Sequence, residues 1–249
     1  MITLNDIQQA HQKITPYIFK TPQIFSSSLS KKDQNVYLKL ESMQITGSFK
    51  LRGASNKLLS LSEEQKGKGV VAVSTGNHGK AVAYAAKKLD IKSKIFMSDL
   101  VPTYRRRAIE ALGAEVIITG KNSDEADNEA HEYVNKNNVE LIHPFDDEQI
   151  IAGQGTIGLE MLESLPFLDT VIVPTSGGGL IGGIAVALKQ QKPDIPRRMK
   201  QAVARHARKM DKEMKTVLDD DQYKLYEQYR TLLTTKTGRM FSPSRTRRR

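Results

Sequence analysis

A lysine stands among small, hydroxylic and apolar residues in the stretch ITGSFKLRG, where a helix is predicted to begin. Phe49 and Leu51 flank this residue, Lys50, and the Gly-Ser pair before them leaves room for a ligand to approach. An apolar site disfavours the ammonium form of lysine, which suits the amine to Schiff-base formation with an aldehyde. The alternative is a solvated surface lysine, the commoner role of any single lysine.

Three consecutive glycines, Gly177, Gly178 and Gly179, follow the apolar run TVIVPTS and precede a helical pattern. Amide groups left uncovered at a helix N-terminus favour a phosphate, so this turn predicts a phosphate site. The turn also satisfies G-x-G-x-x-G, the fingerprint of a dinucleotide site. Such a site needs an acidic residue at the end of a strand about 20 residues later. The acidic residue near that position is Asp194, but it lies in KPDIP, which is not a strand pattern. Glycines that only allow close helix packing remain an alternative.

A second strand-to-helix turn, STGNHG, carries the polar residues Ser74, Thr75, Asn77 and His78. Ligands of parallel α/β sheets gather at the carboxyl ends of strands, so we expect this turn and the glycine turn to face one cleft. A helix cap and a surface histidine are the alternative for this turn taken alone. A lysine, a phosphate turn and a polar turn together indicate pyridoxal phosphate, because its aldehyde and phosphate need these kinds of partner.

The elements that would position these turns alternate between strand and helix patterns. Residues 69–145 read VVAVS, HGKAVAYAAKKL, SKIFMSD, YRRRAIEALG, AEVIITG, SDEADNEAHEYVNKN and VELIHPF, which predicts βαβ units and a parallel sheet. Around them, strands are predicted at 35–41 and 170–176 and a helix at 154–165. The predicted organisation is a larger domain formed by 1–68 and 146–195, a small α/β domain at 69–145, and an unrelated tail at 196–249.

The positive charge of the chain is concentrated in that tail. The net charge is +10, and residues 196–249 hold 16 Lys and Arg against 6 Asp and Glu, so residues 1–195 are neutral. Nucleic-acid binding would therefore depend on the tail alone, and a solvated basic end is the favoured interpretation. Apolar residues at helical spacing predict an amphipathic helix followed by a disordered end. They are Met199, Val203, Ala207, Met210, Met214 and Val217.

Composition excludes several kinds of chemistry. The chain has no cysteine, which removes disulfides, thiolate metal sites and cysteine nucleophiles, and no metal site is predicted. No run approaches the ~20 apolar residues of a membrane span, and the first residues, MITLNDIQQAHQKI, predict an amphipathic helix without a secretory segment. We therefore expect a cytoplasmic protein.

Four ordered motifs, ESMQITGSFKLRGA, VVAVSTGNHGKAVAYAA, IIAGQGTIGLEML and VPTSGGGLIGGI, resemble the fold-type II pyridoxal-phosphate enzymes of the serine/threonine dehydratase and serine racemase group. The sequences VSTGNHG and FDDEQIIAGQGTIGLE are most similar to the threonine dehydratase-like branch that includes the hydroxyectoine-utilisation dehydratases. The resemblance covers residues 1 to about 195. It implies a tryptophan synthase β-like α/β fold with two parallel-sheet domains, the larger one truncated because the C-terminal part of the family is not recognisable, followed by the helical basic tail.

The resemblance also implies roles for single residues. Lys50 would hold the cofactor as a Schiff base and remove the substrate α-proton, and Phe49 would line the cofactor ring. Asn77 would bond to the ring hydroxyl oxygen. The substrate would be held by Ser74, Thr75, Asn77 and His78, and the phosphate by Ser176, Gly177, Gly178, Gly179 and Leu180.

The implied reaction is β-elimination from L-threonine, L-serine or a related hydroxy-amino acid, giving a 2-oxo acid and ammonia. Serine racemisation is the alternative within the family, with the Thr75 hydroxyl as acid/base where racemases place a serine. Phe145 favours elimination, since dehydratases commonly have an apolar residue there and serine racemases an asparagine. An inactive chain that only binds is the third interpretation. The oligomeric state stays open, with a homodimer among the options.

Overall fold

Helices and strands alternate through residues 1–191, the part of the chain that the computed structural model describes. The helices are α1 (Leu4–Ile14), α2 (Lys50–Leu59), α3 (Glu63–Lys68), α4 (Asn77–Lys88), α5 (Thr103–Glu110), α6 (Ser123–Asn137), α7 (Glu148–Ser164) and α8 (Gly179–Gln191). The strands are β1 (Gln23–Phe25), β2 (Tyr37–Lys39), β3 (Val70–Val73), β4 (Ser93–Met97), β5 (Glu115–Ile118) and β6 (Glu140–Leu141). All belong to one compact unit, Met1–Pro193. The predicted tail and its amphipathic helix lie outside the described residues.

Four parallel strands form a sheet in the order β5-β4-β3-β6, which confirms the sheet predicted from the βαβ alternation. Val70 of β3 lies opposite Ser93 of β4 on one side and Glu140 of β6 on the other. Buried aliphatic side chains of β3, β4, α2 and α4 form the main core beside this sheet. Because parallel strands run in one direction, the carboxyl ends of β3 and β6 are neighbours. β3 leads into the polar turn before α4, and β6 leads into the residues before α7.

Glycines allow α7 to pack closely between α2 and α8. A Cβ at Gly153 would lie 2.6 Å from the carbonyl oxygen of Arg52, and one at Gly155 would lie 3.0 Å from that of Gly183. α7 begins at Glu148, earlier than the predicted 154, because the side chain of Asp147 accepts hydrogen bonds from two amides of its first turn. The backbones of the helices that carry the lysine and the glycine turn therefore lie against one common helix.

Of the two strands predicted outside the parallel sheet, one exists and the other does not. The strand predicted at 35–41 exists as the shorter β2, which pairs antiparallel with β1. The strand predicted at 170–176 is wrong: residues 171–175 belong to no strand, and Ile172 is 90% exposed. A strand requires a neighbouring strand for its backbone hydrogen bonds, and no strand among residues 1–191 pairs with this segment. An apolar run alone does not create that neighbour.

The helices within residues 1–191 include none with the length and apolar character needed to cross a membrane. Over the same residues, no group of three or more His, Cys, Asp or Glu side chains is arranged to hold a metal ion.

Candidate active site

A cavity of about 320 Å³ lies where the first turns of α2 and α8 approach each other. Its wall contains both the lysine and the glycine turn that the sequence predicted. The predicted residues on the wall are Phe49, Lys50, Ser176, Gly177, Gly178, Gly179 and Leu180. Pro144, Phe145 and Gln154, to which the sequence analysis gave no binding role, also line the cavity. The structure thus brings the proposed cofactor-binding groups together, apart from Asn77.

Lys50 is the first residue of α2 and is partly buried. The turn before it contains Gly47 at φ +79°, a conformation that favours glycine. The Nζ atom donates a hydrogen bond of 2.6 Å to the carbonyl oxygen of Pro144 and lies 5.3 Å from the centre of the Phe49 ring. Burial lowers the pKa of the Lys50 ammonium. A larger neutral fraction follows, and the neutral amine is the form that attacks an aldehyde.

The three glycines of the turn meet different surroundings. Gly178 has φ +92°, and nothing lies within 4 Å of the position where a Cβ would stand. A Cβ at Gly177 would instead overlap the ring of Phe145, and one at Gly179 would lie 2.6 Å from the Phe145 carbonyl oxygen. Since α8 begins at Gly179, the amides of its first turn are at a positive helix end that faces the cavity.

The polar turn after β3 does not line this cavity. The Ser74 hydroxyl accepts hydrogen bonds from the amides of Gly76 (3.2 Å) and Gly79 (2.8 Å). Thr75 is partly buried, and Asn77 is exposed. The N-cap residue of α4 is Gly76 and His78 is buried, so the alternative of a Ser74 or Thr75 N-cap with a surface histidine is wrong, although Ser74 bonds to the first turn of α4. The hydroxyl of Thr75 and the amide of Asn77 lie away from the cavity wall.

His78 is buried beside the carboxyl end of β6. Its Nε2 lies 2.8 Å from the carbonyl oxygen of Ile142. A carbonyl only accepts, so Nε2 carries the proton and Nδ1 of the neutral ring is an acceptor. Burial lowers the pKa of His78 to about 4; the bond to Ile142 opposes this shift, and the nearby Lys50 and His143 add to it. A neutral ring bound in this way has no free N–H for a substrate carboxylate, which leaves only the backbone of His78 for that predicted role.

Two features of the site were missed in the sequence. Gln154 is 1% exposed, and its Oε1 accepts no hydrogen bond from the residues that the structure describes. Its Nε2 lies 2.5 Å from the position of a Cβ at Gly53, so the side chain is held against α2 one turn after Lys50. The motif IIAGQGTIGLEML that contains Gln154 was identified as a family motif, yet nothing in its spacing marks the amide as a cavity residue. The second feature is the segment between β6 and α7.

A buried charge cluster fixes the position of α2. Arg52 is fully buried and donates to Glu160 at 2.6 and 2.9 Å and to Glu41 at 2.9 Å, while Lys39 lies 2.5 Å from Glu160. Burial disfavours the guanidinium, but the hydrogen bonds to the two carboxylates outweigh it and raise the pKa of Arg52. The cluster ties α2 to α7 and to the chain after β2, and it thereby sets the direction in which Lys50 leaves its helix.

Comparisons with known proteins agree with this geometry. The family described as pyridoxal-phosphate dependent enzyme matches residues 14–229. A catabolic L-threonine dehydratase of Staphylococcus aureus strain N315 is 49% identical over 197 residues, which are 78% of this chain and 57% of the relative. A maize serine racemase structure aligns with a TM-score of 0.75 at 38% identity, covering 78% of this chain and 59% of that one. The processed form of threonine deaminase isoform 2 from Solanum lycopersicum aligns with a TM-score of 0.74 at 39% identity, covering 77% and 53%.

The chain belongs to the pyridoxal-phosphate dependent enzymes, and within them to the fold-type II group of threonine dehydratases and serine racemases. The resemblance and the α/β fold class predicted from four motifs are confirmed. The chain spans about 57% of the length of the dehydratase that it matches. The family match continues past residue 195 into residues outside the described part, so the separate tail and the two-domain division stay predictions.

The residues on the cavity wall fit the cofactor of this family. The volume of about 320 Å³ is within the range of small-molecule sites. An amine with a lowered pKa faces the same space as an uncovered helix N-terminus, and Gly178 leaves open space where any side chain would intrude. An aldehyde and a phosphate carried on one ring need such a pair of groups.

Proposed function

We propose that this chain holds pyridoxal phosphate between Lys50 and the turn Ser176–Leu180 and serves the β-elimination of L-threonine or L-serine to a 2-oxo acid and ammonia. The observation that carries the proposal is that the Lys50 amine and the first turn of α8 line one cavity. The 49% identity to an L-threonine dehydratase supports the choice of reaction. A cytoplasmic location is a further prediction from the sequence, and the oligomeric state stays open with a homodimer among the options.

The glycine turn binds and orients. Amides at the N-terminus of α8 donate hydrogen bonds to a phosphate, and the helix dipole favours its charge. The Phe49 ring, which contacts the Lys50 side chain, supplies an apolar wall for an aromatic ring. Asn77 is assigned to the ring hydroxyl oxygen by the resemblance, although its side chain lies off the cavity wall, so this contact requires the turn after β3 to move toward the ligand.

Lys50 moves the proton. The bound cofactor supplies an electron sink that stabilises negative charge on the substrate α-carbon. With the cofactor bound, the Lys50 amine, which here donates to the Pro144 carbonyl, would hold it through the aldehyde carbon and, once released, would take the proton from the substrate α-carbon. Loss of the β-hydroxyl as water would leave an enamine, and hydrolysis of that enamine would give the 2-oxo acid and ammonia. Ser74, Thr75 and His78 belong to the turn proposed to receive the substrate carboxylate, with the backbone amides as donors.

Serine racemisation is a second candidate because a serine racemase is among the similar structures. It requires an acid/base group on the face of the substrate opposite Lys50, and the proposal for that group is the Thr75 hydroxyl. The apolar Phe145 lies on the cavity wall, and this residue favours elimination.

The test uses the full chain and two variants of one residue. Absorbance is recorded with pyridoxal phosphate, the sample is reduced with borohydride, and the labelled peptide is mapped. We expect the label on Lys50 in the parent and none in Lys50→Ala or in Lys50→Arg, which keeps the positive charge but does not form the covalent bond. Label on another lysine would refute the assignment.

Threonine and serine are then added to the parent chain. Formation of a 2-oxo acid supports elimination, and formation of D-serine without a 2-oxo acid supports racemisation. A chain that binds the cofactor through Lys50 and yields neither product would have the binding role alone.

A further inference from the structure

One short segment, residues 142–146 between β6 and α7, contacts all three predicted motifs. The contacts are from the Ile142 carbonyl to His78 Nε2 at 2.8 Å, from the Pro144 carbonyl to Lys50 Nζ at 2.6 Å, and from the Phe145 ring to the backbone of Gly177. In the sequence, this segment was predicted as the end of a strand pattern, and its Phe145 was taken to favour elimination. The segment therefore contacts both the lysine amine and the glycine turn.

Both ends of the segment are fixed by the fold. The Ile142 amide donates to the carbonyl oxygen of Val71 at 2.7 Å, which continues the pairing of β6 with β3. At the other end, Asp147 caps α7 and forms an ion pair of 2.8 Å with Lys57. The residues between these two anchors depend on contacts of their own.

The contact that shapes the middle of the segment comes from His143. Its Nδ1 accepts hydrogen bonds from the amides of Phe145 at 3.2 Å and Asp146 at 2.7 Å. Its ring meets the Phe145 ring edge-on, with centroids 4.7 Å apart. Only an unprotonated Nδ1 can accept, and burial lowers the pKa of His143, which keeps the ring neutral. One side chain thus satisfies two consecutive amides and holds the aromatic ring.

We propose that His143 is a positioning residue of this site: its Nδ1 folds residues 144–146 over the cavity, so that the Pro144 carbonyl holds the Lys50 amine and the Phe145 ring covers the glycine turn. The inference rests on the proposed function, because it concerns the lysine that would bind the cofactor. It names a residue that touches neither cofactor nor substrate and acts through Pro144 and Phe145.

The test exploits the difference between the two imidazole nitrogens. In His143→Asn the amide oxygen stands near the place of Nδ1 and can accept the same two hydrogen bonds. In His143→Gln, a matched amide, the oxygen stands near the place of Nε2 and cannot. A structural role that needed only a polar side chain of similar size would not separate these two variants.

The first readout is independent of the cofactor: trace acetylation of Lys50 is followed against pH, with Lys94 in the same digests as an internal control. Loosening residues 144–146 exposes the Lys50 amine to water and removes the burial that lowers its pKa, so we expect the midpoint to rise in His143→Gln and to stay unchanged in His143→Asn. The second readout is titration with pyridoxal phosphate. We expect roughly tenfold weaker binding in His143→Gln, the loss that follows from two missing hydrogen bonds.

Equal Lys50 midpoints in the two variants would overturn the inference even if the parent bound pyridoxal phosphate. A shift confined to His143→Gln in a chain that did not bind the cofactor would uphold the positioning role and refute the proposed function. Should both variants fail to fold, nitrogen NMR of the parent decides, because a protonated Nδ1 on His143 contradicts the inference and a proton on Nε2 alone supports it.

Discussion

Two adjacent residues of the glycine turn should require glycine for different physical reasons, and alanine substitutions can separate them. At Gly177 the obstacle is a neighbour, because a Cβ there would overlap the Phe145 ring, whose Cδ2 would lie 2.7 Å away. At Gly178 the space is empty and the obstacle is the backbone, which has φ +92°. We expect both Gly177→Ala and Gly178→Ala to lower the free energy of unfolding.

The expected costs are similar in size. Overpacking a filled site costs typically about 1–3 kcal/mol, and because the Phe145 ring is 36% exposed and can move outward, we expect about 1 kcal/mol for Gly177→Ala. A left-handed conformation costs a residue with a Cβ roughly 1–2 kcal/mol, which is the expectation for Gly178→Ala. Either loss is measurable against a total stability of about 5–15 kcal/mol.

Urea denaturation of the two variants, alone and combined with Phe145→Ala, distinguishes the two causes. Removing the ring relieves the overlap at Gly177, so the double variant should recover about 1 kcal/mol relative to the sum of the single changes. At Gly178 the strain lies in the backbone itself, and the same combination should be additive within about 0.5 kcal/mol. Pyridoxal phosphate titration of the folded variants adds the effect on binding.

Equal rescue of both glycine variants by Phe145→Ala, or rescue of neither, would refute the two separate causes. Equal rescue would show that the ring covers the whole turn, contrary to the open space at Gly178. No rescue at Gly177 would show that the Phe145 ring already turns away from it in solution.

Three further predictions concern buried polar groups. The pKa of His78 is about 4 in the folded chain against 6.5 ordinarily, so between these two pH values the unfolded chain binds a proton that the folded chain does not. The free energy of unfolding should therefore fall by roughly 3 kcal/mol as the pH drops from 6.5 to 4. Urea denaturation across pH should show a smaller fall in His78→Asn, and a fall of equal size would contradict the assignment. Arg52→Met should cost about 3–5 kcal/mol in urea denaturation because Glu41 loses its ion-pair partner and Glu160 keeps only Lys39, and adding Glu41→Gln should recover part of it; an unchanged stability would refute the pairing. Gln154→Met should leave the thermal stability of the cofactor-free chain equal or higher, since Oε1 has no partner among residues 1–191, and it should weaken pyridoxal phosphate binding. The control is Ser55→Ala, which removes another buried atom without a partner among these residues, away from the cavity wall. Unaltered binding in Gln154→Met would contradict the prediction.

Local patterns were sufficient for the parallel sheet and for half of the site. The alternation of apolar strand runs with helical patterns predicted β3 to β6 and α4 to α6, because each of these elements carries its own periodicity. The lysine at the start of α2 and the glycine turn at the start of α8 were also predicted, since both depend on residue types at a helix N-terminus. The cavity itself was expected between the STGNHG turn and the glycine turn, whereas its wall holds Lys50 and the glycine turn and no residue of STGNHG.

Pairing over long distances in the chain is what only the tertiary structure decided. The run at 170–176 has the composition of a strand, but a strand also needs a neighbour, and that is not a property of the run itself. Nothing in the sequence connects Arg52 with Glu160, 108 positions later, and only the fold places the two side chains together. The ring of His78 reads as a substrate ligand until the carbonyl of Ile142 takes its only N–H. The residue type determines which bonds a side chain can form, whereas the fold determines which partner lies within bonding distance of it.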